Sequence, residues 1–370
     1  MYRDNDKISV MQLIAILIVA LFDVQLLSFP RDLAVAVGPD CWFVLLLVLA
    51  IGAGLGWCFL KMGQMFPGEG IVEILQAVVG KTLGWVLGAG LFLLWLGQTA
   101  RVVRLSSALV QVSLLDSTPN EVISLVFLLV SVHMARKGIE PMGRMATLVA
   151  LGAISIASLL PLLTWPEADW LSLRPILHGG ILPELKEALL ITGRLSAVLV
   201  PLLLLSSTES TAREHRYIVP SALIFVGMPV FVLSLITLAV FGVQQSQVLI
   251  LPGLEVVTSI EMPTLLVERL TVFYVGAWAL IVFMSLSILL YLLAMIFGQL
   301  FHVTSYIPLV GFLVPPVYLI SRIPPNDVAV YAFADWLSLA TGIYLALILG
   351  VFFLAILNGN RPRWKGDEEV

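Results

Sequence analysis

Charge is scarce in this sequence: 12% of its 370 residues are Asp, Glu, Lys or Arg, while 60% are apolar. A water-soluble chain is about one quarter charged, so a set of independent soluble domains is excluded and the natural solvent is lipid. The 20 basic and 24 acidic residues leave a net charge of −4, with no clustered basic face of the kind a polynucleotide requires. Cysteine is nearly absent. Cys41 and Cys58 lie on one apolar run, about 25 Å apart along a helix and beyond disulfide reach. The four histidines, His133, His178, His215 and His302, have no partner at i, i+4, which argues against a zinc helix. Nucleophile elbow, P-loop and paired carboxylates are missing too, so neither an enzyme nor a cofactor or metal is expected.

What is there is apolar length. A bilayer core of about 30 Å takes about 20 apolar residues per helix, and long runs without alternation favour helices over barrel strands. Ten spans are expected: Ile8–Val37, Cys41–Met65, Leu83–Leu115, Glu121–Arg136, Met142–Thr164, Pro183–Leu205, Tyr217–Phe241, Arg269–Phe301, Ile307–Ile323 and Asp335–Leu357. The first is too long for the apolar core of a cleavable leader and lacks a small-residue exit. Of the twenty basic residues, twelve fall at the termini and even loops, five in odd loops and three inside spans. That asymmetry places both termini in the cytoplasm. The stretch Val243–Glu268, with Pro252 and Pro263, has room for a short helix over the opposite face.

Two of the runs are interrupted. The first holds Asp23, Val24 and Gln25, then Pro30; the sixth holds Thr192, Gly193 and Arg194, then Pro201. Asp23 precedes its proline by seven residues, and so does Arg194. Broken helices at matching places in two halves point to a binding site between inverted repeats. The layout is therefore read as one polytopic all-α domain, with a five-helix repeat over residues 8–164, a second over 183–357, and a short charged tail over 358–370. Half-helix ends at such breaks offer positive dipoles to a carboxylate and free carbonyls to a cation, which suits a small zwitterion.

A series of local patterns resembles the spore-germination permease family, the membrane B subunits of germinant receptors within the amino acid–polyamine–organocation superfamily. They are Pro30-Arg31 with Gly38-Pro39-Asp40-Cys41-Trp42, Phe66-Pro67-Gly68, Gly80-Lys81 with Gly84, Arg136-Lys137-Gly138-Ile139-Glu140 with Gly143-Arg144, and Glu268-Arg269-Leu270 leading to Trp278. The resemblance implies a five-plus-five inverted-repeat fold of the LeuT type. It also implies a place in the spore inner membrane beside an A subunit and a lipoprotein C subunit, and sensing of a small nutrient such as an amino acid. One position departs from the family: its first break is usually glycine-rich, whereas Asp23-Val24-Gln25 stands here.

Charges inside a membrane cost about 2.5–3.5 kcal/mol on insertion scales and call for partners or a wet cavity. Asp23, Arg101, Arg104 and Arg194 are such charges, and Gln98, Arg101 and Arg104 share one helix face. The expected ligand residues are Asp23, Val24, Gln25, Gln98, Arg101, Thr192, Gly193, Arg194 and Tyr274. The expected ion-pair network is Asp23 with Arg101, Arg104 and Arg194; the alternative is that these charges fix helix register without a ligand. Three functions follow: a germinant-receptor subunit, a proton-coupled amino-acid transporter, and a non-binding assembly subunit.

Overall fold

Lipid-facing helices keep apolar residues on their outer side, and here Leu129, Leu148, Leu151 and Phe312 are all well exposed on otherwise packed helices. The computed structural model describes residues 7–22, 25–174, 180–209, 212–249, 251–259, 264–303 and 305–359. The chain opens on strand β1 (Ile8–Ser9), then α1 (Val10–Leu21) and α2 (Gln25–Val37). Ser9 caps α1 reciprocally with Gln12: the Gln12 amide donates to the serine hydroxyl, and the Ser9 amide donates to the glutamine oxygen.

A 3₁₀ turn at Gly38–Asp40 leads to α3 (Cys41–Met65), followed by α4 (Ile71–Val79), α5 (Lys81–Ser113), α6 (Asn120–Ala135) and α7 (Ile139–Leu162). Then come α8 (Ile181–Thr192), a 3₁₀ turn Ser196–Leu199 and α9 (Val200–Leu204), with strand β2 at Thr208–Glu209. The remainder is α10 (Ala212–Val248, broken at Gly242), α11 (Pro252–Thr258), α12 (Thr264–Leu300), α13 (Ile307–Phe312), α14 (Val314–Ser321) and α15 (Asp327–Leu357).

Among the described residues each of the ten apolar runs is mainly helical. Among the described residues six helices are long and apolar enough to cross a membrane, seven if the bent pair of α8 and the segment after it counts as one, and Val10–Leu21, Asn120–Ala135 and Ile307–Ser321 are shorter apolar helices. The sequence reading overlooked α4 and began the last helix at Asp335. It begins at Asp327, where the Asn326 side chain accepts the Ala329 amide at 2.9 Å and caps the first turn. α12 is the central element: its apolar stretch Val272–Leu300 is mostly buried, and it packs on α1, α5, α6 and α7.

The strand pair marks one end of the bundle. The near face carries β1, β2 and the start of α10; the far face carries the end of α2, the starts of α6 and α15, and α11.

Candidate functional site

Both breaks lie where they are expected. α1 ends at Phe22 with φ −82° and ψ 45°, and the residue that leads into the turn after α8, Leu195, has φ −83° and ψ 44°. The chain bends by 64° between Ile181–Thr192 and Ser196–Ser207. Ala20, Leu21 and Phe22 from the first break and Arg194, Leu195, Ser196 and Ala197 from the second wall one cavity, closed by α3 and α10. Its volume is about 60 Å³, room for a handful of waters.

Among the expected ligand residues, Asp23 and Val24 lie outside the described residues, and Gln25 opens α2 with its side chain outside them. Gln98 and Arg101 are buried on α5. Gln98 holds two neighbours at once, its oxygen accepting from Arg101 Nε at 2.9 Å and its nitrogen donating to Thr341 Oγ1 of α15 at 3.3 Å. Thr192 is buried and donates its hydroxyl to the Ala188 carbonyl at 2.7 Å. Gly193 stands where α8 touches α15, and a Cβ there would run into the Ser338 carbonyl. Glycine at this position is explained by close approach of two backbones. Tyr274 is buried on α12, and neither its hydroxyl nor the indole nitrogen of Trp278, one turn on, has a hydrogen-bond partner among the described residues.

Arg194 has partners that the sequence reading did not assign to it. Its guanidinium pairs with Asp32 of α2 and reaches Asp335 of α15 at 3.4 Å. One cation thereby ties three elements on the far side of the breaks. The side chains of Arg194 and Asp32 are 18% and 25% exposed, while that of Asp335 is 71% exposed, so the first pair carries most of the interaction. Beside it Arg31 lies over the Tyr331 ring at 5.4 Å and donates from Nε to the Gln247 carbonyl at 3.3 Å. Asp32 was visible as an acid inside the first run, one residue from Arg31 and two from Pro30. Asp335 lies inside α15, about two turns past its start.

Arg104 faces a different neighbourhood. Its Nη1 donates to Asn120 Oδ1 on α6 at 3.1 Å. The same oxygen accepts from Ser107 Oγ at 3.0 Å and from Arg322 Nη1 at 2.8 Å, which makes Asn120 a hub between α5, α6 and the end of α14. A larger cavity of about 580 Å³ opens past Arg104 towards the far face, between α2, α5, α11 and α15.

The near face is closed in another way. β1 and β2 pair in parallel, with Ile8 opposite Thr208 and Ser9 opposite Glu209, and Lys7 Nζ lies 3.2 Å from Glu209 Oε1. The start of the first broken helix is thus joined to the exit of the second. Behind this clasp Gln64 of α3 and His215 of α10 share a buried hydrogen bond of 2.9 Å.

A family model described as spore germination protein matches residues 7–330. The chain belongs to the spore germination permease family. Spore germination protein YndE of Bacillus subtilis (strain 168) is 25% identical over 375 residues, covering 100% of both chains. Spore germination protein A2 of the same organism is 23% identical over 361 residues, 96% of this chain and 97% of the relative. Spore germination protein KB is 28% identical over 184 residues, 49% of this chain and 48% of its own.

In solved structures, a manganese transporter of Eremococcus coleocola superposes with a TM-score of 0.62 at 14% identity, covering 94% of this chain and 78% of that one. A likeness at that identity shows the fold alone: an all-α membrane transporter fold. Family and fold together are those of a multi-pass, permease-like membrane protein connected with germination, and they point away from an enzyme.

The family patterns now have physical roles. In this permease Gly138 has φ 93° and turns the chain between α6 and α7, and four residues past Ile139-Glu140 the Arg144 guanidinium closes on Glu140 at 2.5 Å. Only glycine enters that backbone region without strain.

Proposed function

We propose that this permease is the membrane subunit of a spore germinant receptor: it binds a small nutrient of the amino-acid class inside the bundle and passes a shift in helix position to an A subunit and a lipoprotein C subunit. The proposed setting is the spore inner membrane, with the near face and both termini in the cytoplasm, as the twelve-to-five distribution of basic residues favours.

One observation carries the reading. The end of the first helix and the 64° bend of the second line a single cavity, with Arg194 in its wall. A broken helix in lipid is costly unless its freed polar groups line a cavity or meet a partner. Breaks that face each other, tied on one side by an ion pair and on the other by a strand pair, give an arrangement able to open on either side of a bound molecule.

A transporter reading keeps support from the fold neighbour, which is named a manganese transporter. In that version a proton-coupled solute crosses the membrane and Asp23 is the proposed proton carrier. The full chain in lipid nanodiscs separates the readings when melting is followed against panels of L-amino acids, sugars and nucleosides. A shift with one panel, without uptake of that solute into proteoliposomes, is expected for a receptor subunit. Uptake driven by a proton gradient supports transport instead. Absence of any shift, with loss of partner subunits from spores that lack this chain, supports the assembly role and overturns nutrient binding.

A further inference from the structure

α3 and α10 close along a seam that runs from the near face to the cavity between the breaks. Glycines set its width. A Cβ added at Gly56 of α3 would lie 2.4 Å from a Val219 methyl of α10, and one added at Gly227 of α10 would lie 2.5 Å from Cδ1 of Leu49 on α3. Only a residue without a side chain lets two helices approach so closely. Leu49 and Gly227 stand in the wall of the cavity, so whatever parts the seam opens the space between the broken helices. At its near end lie Gln64 and His215, 6% and 9% exposed and joined at 2.9 Å. One residue earlier Gly63 meets the end of the second broken helix, where a Cβ would lie 2.8 Å from Cδ2 of Leu205.

The bond between Gln64 and His215 depends on the charge of the ring. Gln64 Nε2 can only donate, so Nδ1 of His215 accepts, and a ring protonated on Nδ1 cannot. An imidazolium here is also opposed by burial, by the positive end of the α10 dipole, in whose first turn His215 stands, and by Lys61 of α3. Glu214, the preceding residue, acts in the other direction. On the other elements packed against this end of α10, Glu140 and Arg144 of α7 pair with each other, and Lys7 pairs with Glu209 across the strands. α1 has no ionisable side chain. Arg216 lies over the Tyr217 ring at 4.6 Å, and the side chain of Arg213 is outside the described residues.

We propose that His215 is a proton-operated latch on this seam: the neutral ring fastens α3 to α10, and a proton taken up on Nδ1 releases them and opens the cavity between the breaks towards the near face. The inference goes beyond the proposed function and does not depend on which solute the cavity takes. The latch acts behind the strand clasp, which keeps the two broken helices joined to each other while α3 parts from α10. Its sign follows from the two environments. With the seam open the ring is hydrated and titrates near its ordinary value of about 6.5; with the seam closed the charged form is excluded. Closure is therefore fully favoured above that value and weakens below it, the ratio of closed to open falling about tenfold from about pH 7.5 to about pH 5.5.

The test places spin labels at Glu69→Cys, past the end of α3, and at Tyr217→Cys, on the exposed side of α10, in the full chain with Cys58→Ser in nanodiscs. Their separation is read by double electron–electron resonance. The population at longer separation is expected to rise about tenfold relative to the shorter one over that pH range. His215→Gln, which still offers Gln64 a hydrogen-bonding partner but takes up no proton, is expected to stay closed throughout. An unchanged distance distribution in the parent, or the same response to pH in His215→Gln, overturns the latch. Gln64→Met keeps the titrating ring and removes the bond, so its open-to-closed ratio at neutral pH is expected to exceed the parent's by about fivefold, the effect of one hydrogen bond. This variant decides the question if His215→Gln does not fold, and a ratio equal to the parent's overturns the proposal.

Discussion

The two broken helices are fastened at both ends by opposite means. On the far face a single side chain, Arg194, joins α8 to α2 and α15 through Asp32 and Asp335. On the near face the join is made by backbone, β1 against β2, with Lys7 and Glu209 as an outlying pair 60% and 67% exposed. The conditional end is the far one. A strand pair between two short segments depends little on any one side chain, whereas the far tie rests on one guanidinium in a poorly solvated place. A ligand or a competing charge that draws Arg194 away therefore releases three elements at once.

The comparison is broken most directly at the far face. Arg194→Ala leaves Asp32 half-buried without its cation, and the expected loss is about 2–4 kcal/mol of stability, read as a lower midpoint of unfolding in detergent. Gly193→Val comes next: a branched side chain against the Ser338 carbonyl forces α8 from α15, at about 1–3 kcal/mol by the same measurement. Asp335→Asn separates the two acids. Its side chain is 71% exposed, so the expected cost is below about 1 kcal/mol. A cost as large as that of Arg194→Ala would mean that the tie to α15, and not that to α2, holds the far face. Smallest is Lys7→Ala on the near face, about 0.3 kcal/mol and vanishing in 1 M salt. If instead it costs as much as Arg194→Ala, the near face is also closed by charge and the contrast between the two ends disappears.

How much of this was legible beforehand depends on the kind of signal. Apolar length is cumulative, so among the described residues all ten runs are mainly helix. The breaks were legible because Asp, Gln and Gly-Arg interrupt apolar runs at places lipid does not tolerate. The partners of Arg194 were not, because an ion pair between residues 162 positions apart leaves no local pattern. Asp335 was concealed by a helix start set too late, for want of reading Asn326 as a cap. α4 escaped notice for the same reason that short helices generally do: its nine residues, Ile71–Val79, between Gly70 and Gly80, are too few for periodicity to speak. The larger cavity could not be foreseen at all. Glu255 and Arg104 share its wall only because α11 folds back over the bundle, and nothing in their separate neighbourhoods announces it.

The strand pair on the near face also sets an order of events in synthesis. Ile8 emerges first and its partner Thr208 only about two hundred residues later, so β1 waits unpaired while α1 to α9 enter the bilayer. Closing so long a loop has a high entropic cost until the intervening helices have packed. The pairing therefore closes late, once the first half of the protein and the second interrupted helix have packed.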